Sequence, residues 1–237
     1  VSINSIKATH TVVDAIYDDF KLEKKFKLLK KNKKITYESR WKDIKKIEIR
    51  NLSFKYNKKD NFIFKNLNIN IFERNYIGIY GKSGSGKTTL LQLAGGILGV
   101  ADGSIQVAKQ SLGSMPEPKR RRFRLANIGF VFQSFELLPH LTVDENLLLP
   151  MRLLHQKRLS TEIHSRVDEL CDQLGLSRSI RKRRPERLSQ GERQRVAIGR
   201  ALVTQPSVVL ADEPTGNLDP ALKTSVVELL LERCRED

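Results

Sequence analysis

The sequence predicts an α/β fold with a parallel central sheet, on three observations. Short apolar runs, Tyr76–Tyr80, Ile128–Phe132 and Ser207–Ala211, alternate with longer stretches of helical periodicity, as parallel strands joined by helical crossovers require. The first run leads directly into a glycine-rich loop and a helix-forming stretch. The last ends on an acidic pair, Asp212-Glu213. Open parallel sheets gather ligands at the carboxyl ends of their strands, so both features fall where chemistry is expected.

Taken in chain order, residues Val1 to about Leu29 read as a helix, because Ile6, Val12, Val13, Ile16, Phe20 and Leu22 recur at near-helical spacing. Asn32 to Asp43 is polar and basic and reads as a linker. Residues 1–45 are therefore expected to stand apart from a domain over 46–237. From Lys46 the period drops to two, through Ile47, Ile49, Asn51, Ser53, Phe54 and Tyr56, which predicts a strand. Phe62–Phe72 alternates again and predicts a second strand or hairpin. Tyr76–Tyr80 is a short buried strand, Thr88–Ile97 a helix, and Ile105–Val107 and Ile128–Phe132 are strands. Thr142–Leu176 is mostly helical with Gly175 as its stop. Ser189–Val203 is a helix, Ser207–Ala211 a buried strand and Thr224–Glu232 the last helix.

Composition narrows the class. At 237 residues with 39% hydrophobic content the chain can bury one full core. No run approaches the roughly 20 apolar residues of a membrane helix, and the first residues lack the apolar core of a secretory leader. Cys171 and Cys234 form no disulfide framework and suit a reducing compartment. A soluble, cytosolic chain is the expectation. The net charge of +16 is uneven, +12 over residues 1–90 and +4 over 91–237. The run from Lys24 to Lys34 reads as a solvated face, or as a surface drawn to anionic lipid. Residues 1–90 hold 18 Lys and 3 Arg, and residues 91–237 hold 5 Lys and 17 Arg, while Asn falls from 9 to 3. Two related genes joined near Gly81–Leu91 would produce such a switch, as would local bias within one gene.

The strongest chemical signal is Gly81-Lys82-Ser83-Gly84-Ser85-Gly86-Lys87-Thr88, which fits G-x-x-x-x-G-K-[ST] throughout. Small residues let backbone amides wrap phosphate oxygens, and the following helix adds its positive end. Lys87 can reach the β- and γ-phosphates of a nucleoside triphosphate, and the Thr88 hydroxyl can ligate Mg²⁺. Asp212, at a strand's carboxyl end, can hold Mg²⁺ through water, and Glu213 can polarise an attacking water. A strand ending in Asp-Glu is by itself equally the start of a solvated loop.

The surroundings decide that point, because they resemble the ABC transporter ATPases. Leu188-Ser189-Gln190-Gly191-Glu192 resembles the LSGGQ signature, and Ala211 through Asp219 resembles the Walker B strand and D-loop. Gln133, in Phe130-Val131-Phe132-Gln133, matches the Q-loop, and Tyr56 matches the aromatic residue that stacks on adenine. These markers follow family order from about Lys46 to Asp237. The resemblance implies a P-loop NTPase of the ABC ATPase type: a parallel core sheet, an antiparallel β subdomain and a helical subdomain over about 138–188. It implies that Tyr56, Gly81 through Thr89, Ser189, Gly191 and Asp219 bind nucleotide, and that Thr88, Gln133 and Asp212 hold Mg²⁺. It also implies that Glu213, Lys87 and Gln133 carry the hydrolysis of ATP. The implied partners are a second ATPase domain, docked head to tail with Ser189 and Gly191 on the other's γ-phosphate, and transmembrane permease domains. The implied place is the cytoplasmic face of the inner or plasma membrane. Gln190 departs from the signature, where the family has glycine, which bears on the strength of the closed dimer.

Two subclasses are implied. Residues 91–237, with Ile128 through Phe135, Leu137-Leu138-Pro139, Leu141-Thr142, Glu145-Asn146 and Gly216 through Asp219, are similar to the lipoprotein-release and macrolide-export class. Residues 1–90 look like the end of a transmembrane helix leading into a fused lipid or oligosaccharide exporter, or a solitary amphipathic helix. Both point to export or extraction. The family's switch histidine follows the last helix predicted here, and the four histidines end at His164. A C-terminally truncated domain with slow hydrolysis is therefore expected. The histidines and cysteines lack zinc spacing. The basic clusters Lys119–Arg122 and Arg181–Arg184 lack the interleaved aromatics of a base-stacking surface, so no nucleic-acid partner is expected. The rival classes are a non-transport ABC ATPase on nucleic acid or ribosomes, and a scaffold that binds ATP with little turnover.

Overall fold

The computed structural model describes residues 45–72, 79, 84–155, 159–214, 223 and 226. The expected helix over 1–29, the linker, most of the Tyr76–Tyr80 strand and most of the Thr224–Glu232 helix lie outside them. The described residues fall into two compact units. The first runs up to Ala94 and includes Leu98–Gly113; the second holds Gly95–Ile97 and the residues from Ser114 onward.

The first unit is an antiparallel sheet. Its strands are β1 (Lys45–Phe54), β2 (Phe64–Phe72), β3 (Asp102–Val107) and β4 (Gln110–Ser111), in the spatial order β2-β1-β3-β4. Ile47, Ile49 and Leu52 on β1, Phe64 on β2, and Ile105 and Val107 on β3 are buried together with Leu112. Helix α1 (Lys87–Ala94) belongs to the same unit and buries Thr89, Leu90, Leu93 and Ala94. The first strand stops at Phe54, short of the expected Tyr56. There Asp60 draws the chain into a turn, accepting from the Asn57 amide at 3.0 Å and side chain at 2.9 Å, and the Ile63 N–H returns to the Phe54 carbonyl at 2.8 Å. The β3–β4 hairpin was not expected. Its two-residue loop, Ala108-Lys109, takes positive φ at both positions (+46° and +64°) without the Asn or Gly that would announce it.

In the second unit β5 (Ile128–Val131) and β6 (Val208–Ala211) pair in parallel, Ile128 opposite Val208 and Val131 opposite Ala211. This is the parallel element that the sequence predicts. Helix α2 (Glu117–Asn127) precedes β5 and buries no residue. It carries Lys119–Arg122 and is laced by ion pairs from Glu117 to Arg120 and Arg124. The long helical stretch divides into α3 (Val143–His155) and α4 (Thr161–Gln173). The latter ends where predicted: Gly175 takes φ +61°, its N–H bonds the Asp172 carbonyl, and the Leu176 N–H bonds the Cys171 carbonyl at 2.8 Å. A short helix α5 (Arg178–Arg181) and a 3₁₀ turn at Pro185–Arg187 lead to α6 (Gln190–Leu202). The core joins Val143, Leu147 and Met151 of α3, Val167 and Leu170 of α4, and Val196, Ile198 and Leu202 of α6. Fully buried Asn146 takes part in it, its amide donating to the Leu138, Leu141 and Thr142 carbonyls and its oxygen accepting from the Leu138 N–H. Among the described residues no helix is long and apolar enough to cross a membrane.

Candidate functional site: a nucleotide-handling centre

In the first unit the glycine-rich loop turns into α1. Gly84 and Gly86 take φ +78° and +93°, a region L side chains avoid. A Cβ on Gly86 would also stand 2.7 Å from Ile63 Cγ2 and 3.0 Å from the Phe64 ring, so the loop holds its curve only with glycine there. Lys87 opens the helix and Thr88 is exposed beside it. Ser85 Oγ is buried with no hydrogen-bond partner among the described residues, which leaves a polar group in want of an acceptor or donor. An anion at this helix start would meet that hydroxyl and the positive end of the helix dipole, so these residues fit a phosphate group. Thr89 is buried and shares a 3.0 Å hydrogen bond with the Tyr56 hydroxyl. Tyr56 is 56% exposed and its ring meets Phe54 edge-on at 5.2 Å, so the residue stays open to stacking. Gly81, Lys82 and Ser83 lie outside the described residues.

In the second unit the acidic pair follows β6. The Asp212 N–H extends the ladder to the Val131 carbonyl at 2.9 Å, and Asp212 is buried at 7% exposure. Glu213 takes φ +51°, a conformation that costs a non-glycine residue about 1–2 kcal/mol. Two contacts hold it: Gln133 Nε2 donates to its carboxylate at 3.0 Å, and Gln194 Nε2 donates to its carbonyl at 3.2 Å. The carboxyl ends of β5 and β6 thus bring an amide and two acids together. Oxygen donors of this kind suit a hard divalent cation such as Mg²⁺.

The signature residues form the start of α6. Ser189 is its N-cap: Oγ accepts from the Glu192 N–H at 3.2 Å, and the Glu192 carboxylate accepts from the Ser189 N–H at 2.7 Å. That backbone bond, opposed by burial and reinforced by the Ser189 side chain, holds the Glu192 carboxyl below its ordinary range. Ser189 and Gln190 are exposed and Gly191 is half-buried.

The ABC transporter family model matches residues 64–216. The lipoprotein-releasing system ATP-binding protein LolD 1 of Rhodopirellula baltica is 46% identical over 71% of this chain and 72% of its own length. The chain belongs to the ABC transporter family. The LolD protein of Hydrogenovibrio crunogenus is 41% identical over 73% of this chain and 74% of its own. Among solved structures, the dimeric structure of MJ0796, a bacterial ABC transporter cassette, superposes with a TM-score of 0.75 at 34% identity, covering 81% of this chain and 84% of that one. A post-hydrolysis state of the same cassette, bound to ADP and Pi, superposes equally well at 33% identity. This ABC ATPase is therefore an ATP-binding, ATP-hydrolysing transport protein with the P-loop fold of its family, and it resembles the ATP-binding proteins of lipoprotein-releasing systems.

Of the expected site residues of the ABC ATPase, Tyr56 and Thr89 meet in the first unit, as do Gln133 and Glu213 in the second. Asp219 lies outside the described residues. Gln194 was not anticipated. Its signal is a polar residue within the buried stripe Gln194, Ile198 and Ala201 of α6, a place where a lone amide must find a partner. Arg200, which bonds the carbonyls of Phe135 and Glu136, was likewise not anticipated.

Proposed function

We propose that this ABC ATPase works as one half of a head-to-tail pair that binds Mg-ATP and drives a membrane permease extracting or exporting a lipid-bearing substrate. It would act at the cytoplasmic face of the membrane, peripheral to it. Tyr56 stacks on adenine. The residues Gly81 through Thr89 wrap the phosphates, with Lys87 on the β- and γ-oxygens. Thr88, Gln133 and Asp212 are the residues to hold Mg²⁺, which when bound neutralises charge on the phosphate oxygens. Glu213 orients and polarises the attacking water, held for that task by Gln133 at its carboxylate and Gln194 at its carbonyl.

The observation that carries the reading is the Gln133–Glu213 bond, which ties the proposed general base to the proposed Q-loop amide. Support for pairing comes from Ser189, an exposed hydroxyl at the positive end of a 13-residue helix. The superposable cassette MJ0796 was solved as a dimer. Support for the substrate class comes from the LolD relatives, named for lipoprotein release. The deciding experiment reconstitutes the chain with a lipoprotein-release permease in vesicles and follows phosphate release. Turnover raised by the permease and by a lipid-anchored protein supports the reading. Turnover indifferent to both removes the transport assignment.

A further inference from the structure

Arg200 stands near the carboxyl end of α6, and its guanidinium reaches the chain that follows β5. Nη1 donates to the Glu136 carbonyl at 2.5 Å and Nη2 to the Phe135 carbonyl at 2.6 Å. Those carbonyls belong to consecutive residues in left-handed conformation, φ +65° at Phe135 and +48° at Glu136, which bulky L side chains adopt only when something holds them there. The segment is folded tightly onto itself. Phe135 N–H returns to the Phe132 carbonyl at 3.0 Å, Glu136 N–H to the Ser134 carbonyl at 2.8 Å, and Ser134 Oγ donates to the Glu136 carboxylate at 2.6 Å. Gln133 lies inside this turn, so a shift at residues 135–136 moves it.

The choice of side chain is informative. A planar fork can bond two adjacent carbonyls at once, whereas an ammonium on a flexible stem holds them as a point charge. Burial acts against the Arg200 charge and lowers its pKa, so the two carbonyls stand in for lost water.

We infer that Arg200 is a positioning residue for ATP hydrolysis: its fork fixes the Phe135–Glu136 turn and so holds Gln133 against Glu213. This rests on the roles proposed above for Gln133 and Glu213. Helix α6 then carries the signature Ser189 at one end and the anchor of the Gln133 loop near the other. A movement of that helix reaches both.

The test compares the parent chain with Arg200→Lys, Gln133→Ala and the double variant, by phosphate release, Mg-ATP titration and amide hydrogen exchange. For Arg200→Lys the expected result is ATP affinity within about twofold of the parent and kcat lower by about tenfold. Exchange should quicken over residues 132–138 and stay unchanged over 146–151. In the Gln133→Ala background the lysine substitution should cost nothing further, because the two act through one contact. Losses that multiply in the double variant, or unchanged exchange over 132–138, overturn the inference while leaving the Gln133 role intact. Parental turnover in Gln133→Ala alone instead removes the Gln133 role, and the inference with it. Should the lysine variant fail to fold, Arg200→Gln decides by the same criteria.

Discussion

Gln133 and Glu213 are joined side chain to side chain at 3.0 Å, across 80 residues of sequence. The bond spans the carboxyl ends of two parallel strands and ends on a glutamate whose backbone is held left-handed at φ +51°. Replacing that glutamate by glutamine preserves shape and leaves an amide oxygen to accept from Gln133, but removes the charge that would polarise water. Glu213→Gln is therefore expected to bind Mg-ATP as the parent does, with turnover lower by about 100-fold or more. Size-exclusion chromatography with ATP should show a dimer that the parent lacks. A variant that hydrolyses at the parental rate sinks the role of Glu213.

The phosphate loop offers a test independent of hydrolysis. Lys87 opens α1 next to a glycine that tolerates no side chain and a serine hydroxyl buried without a partner among the described residues. Charge-assisted bonds to phosphate are the strong ones. Lys87→Ala should weaken Mg-ATP binding by about tenfold or more on titration. Near-parental affinity would mean that the loop holds phosphate without this cation.

Much of this organisation is legible in sequence, and the exceptions share a cause. The glycine-rich loop, the acid at the end of β6, the serine at the start of α6 and the Gly175 stop are local patterns whose residues lie next to one another. The loop and the Gly175 stop are legible from spacing, whereas Asp212-Glu213 and Ser189 take their roles from the resemblance to the ABC transporter ATPases. Helix α2 escaped notice because it buries no residue and is held by Glu117 pairing with arginines; no apolar stripe marks it. The β4 hairpin escaped because Ala108-Lys109 carries no turn signal. Gln194 and Arg200 act on carbonyls 19 and 64 or 65 residues away. A backbone acceptor leaves no mark on its own residue type, so such partners appear only in the fold.

Gly129 on β5 shows how closely α6 packs against the strand that leads to Gln133. A Cβ there would stand 2.3 Å from the Ala201 carbonyl oxygen and 2.9 Å from Pro206 Cγ. The nearer obstacle is backbone, which cannot swing aside as a long side chain would. Gly129→Ala is expected to destabilise the chain by about 2 kcal/mol or more, read as a lower denaturation midpoint at unchanged slope in urea. Parental stability would show that α6 and β5 can part without cost.

The signature cap carries its own pH dependence. Glu192 accepts from the Ser189 backbone at 2.7 Å, and its carboxyl lies below the ordinary range chiefly for that reason. A carboxylate whose pKa falls on folding stabilises the folded state above its unfolded value, and that contribution disappears as the pH drops through the folded one. Glu192 is half-buried at the surface, so the effect is partly screened and modest. Glu192→Gln keeps a weaker acceptor at the same place and cannot titrate. The parent should therefore melt higher than the variant near neutral pH. The gap should close as the pH falls through and below about 4.3, the ordinary glutamate value. Every other titrating group is common to both chains and cancels in the difference. Thermal melts of the two proteins across that range make the measurement. A gap that stays constant down to the acid end would mean that Glu192 ionises alike in the folded and unfolded chain, and that its bond to Ser189 does not hold the start of α6.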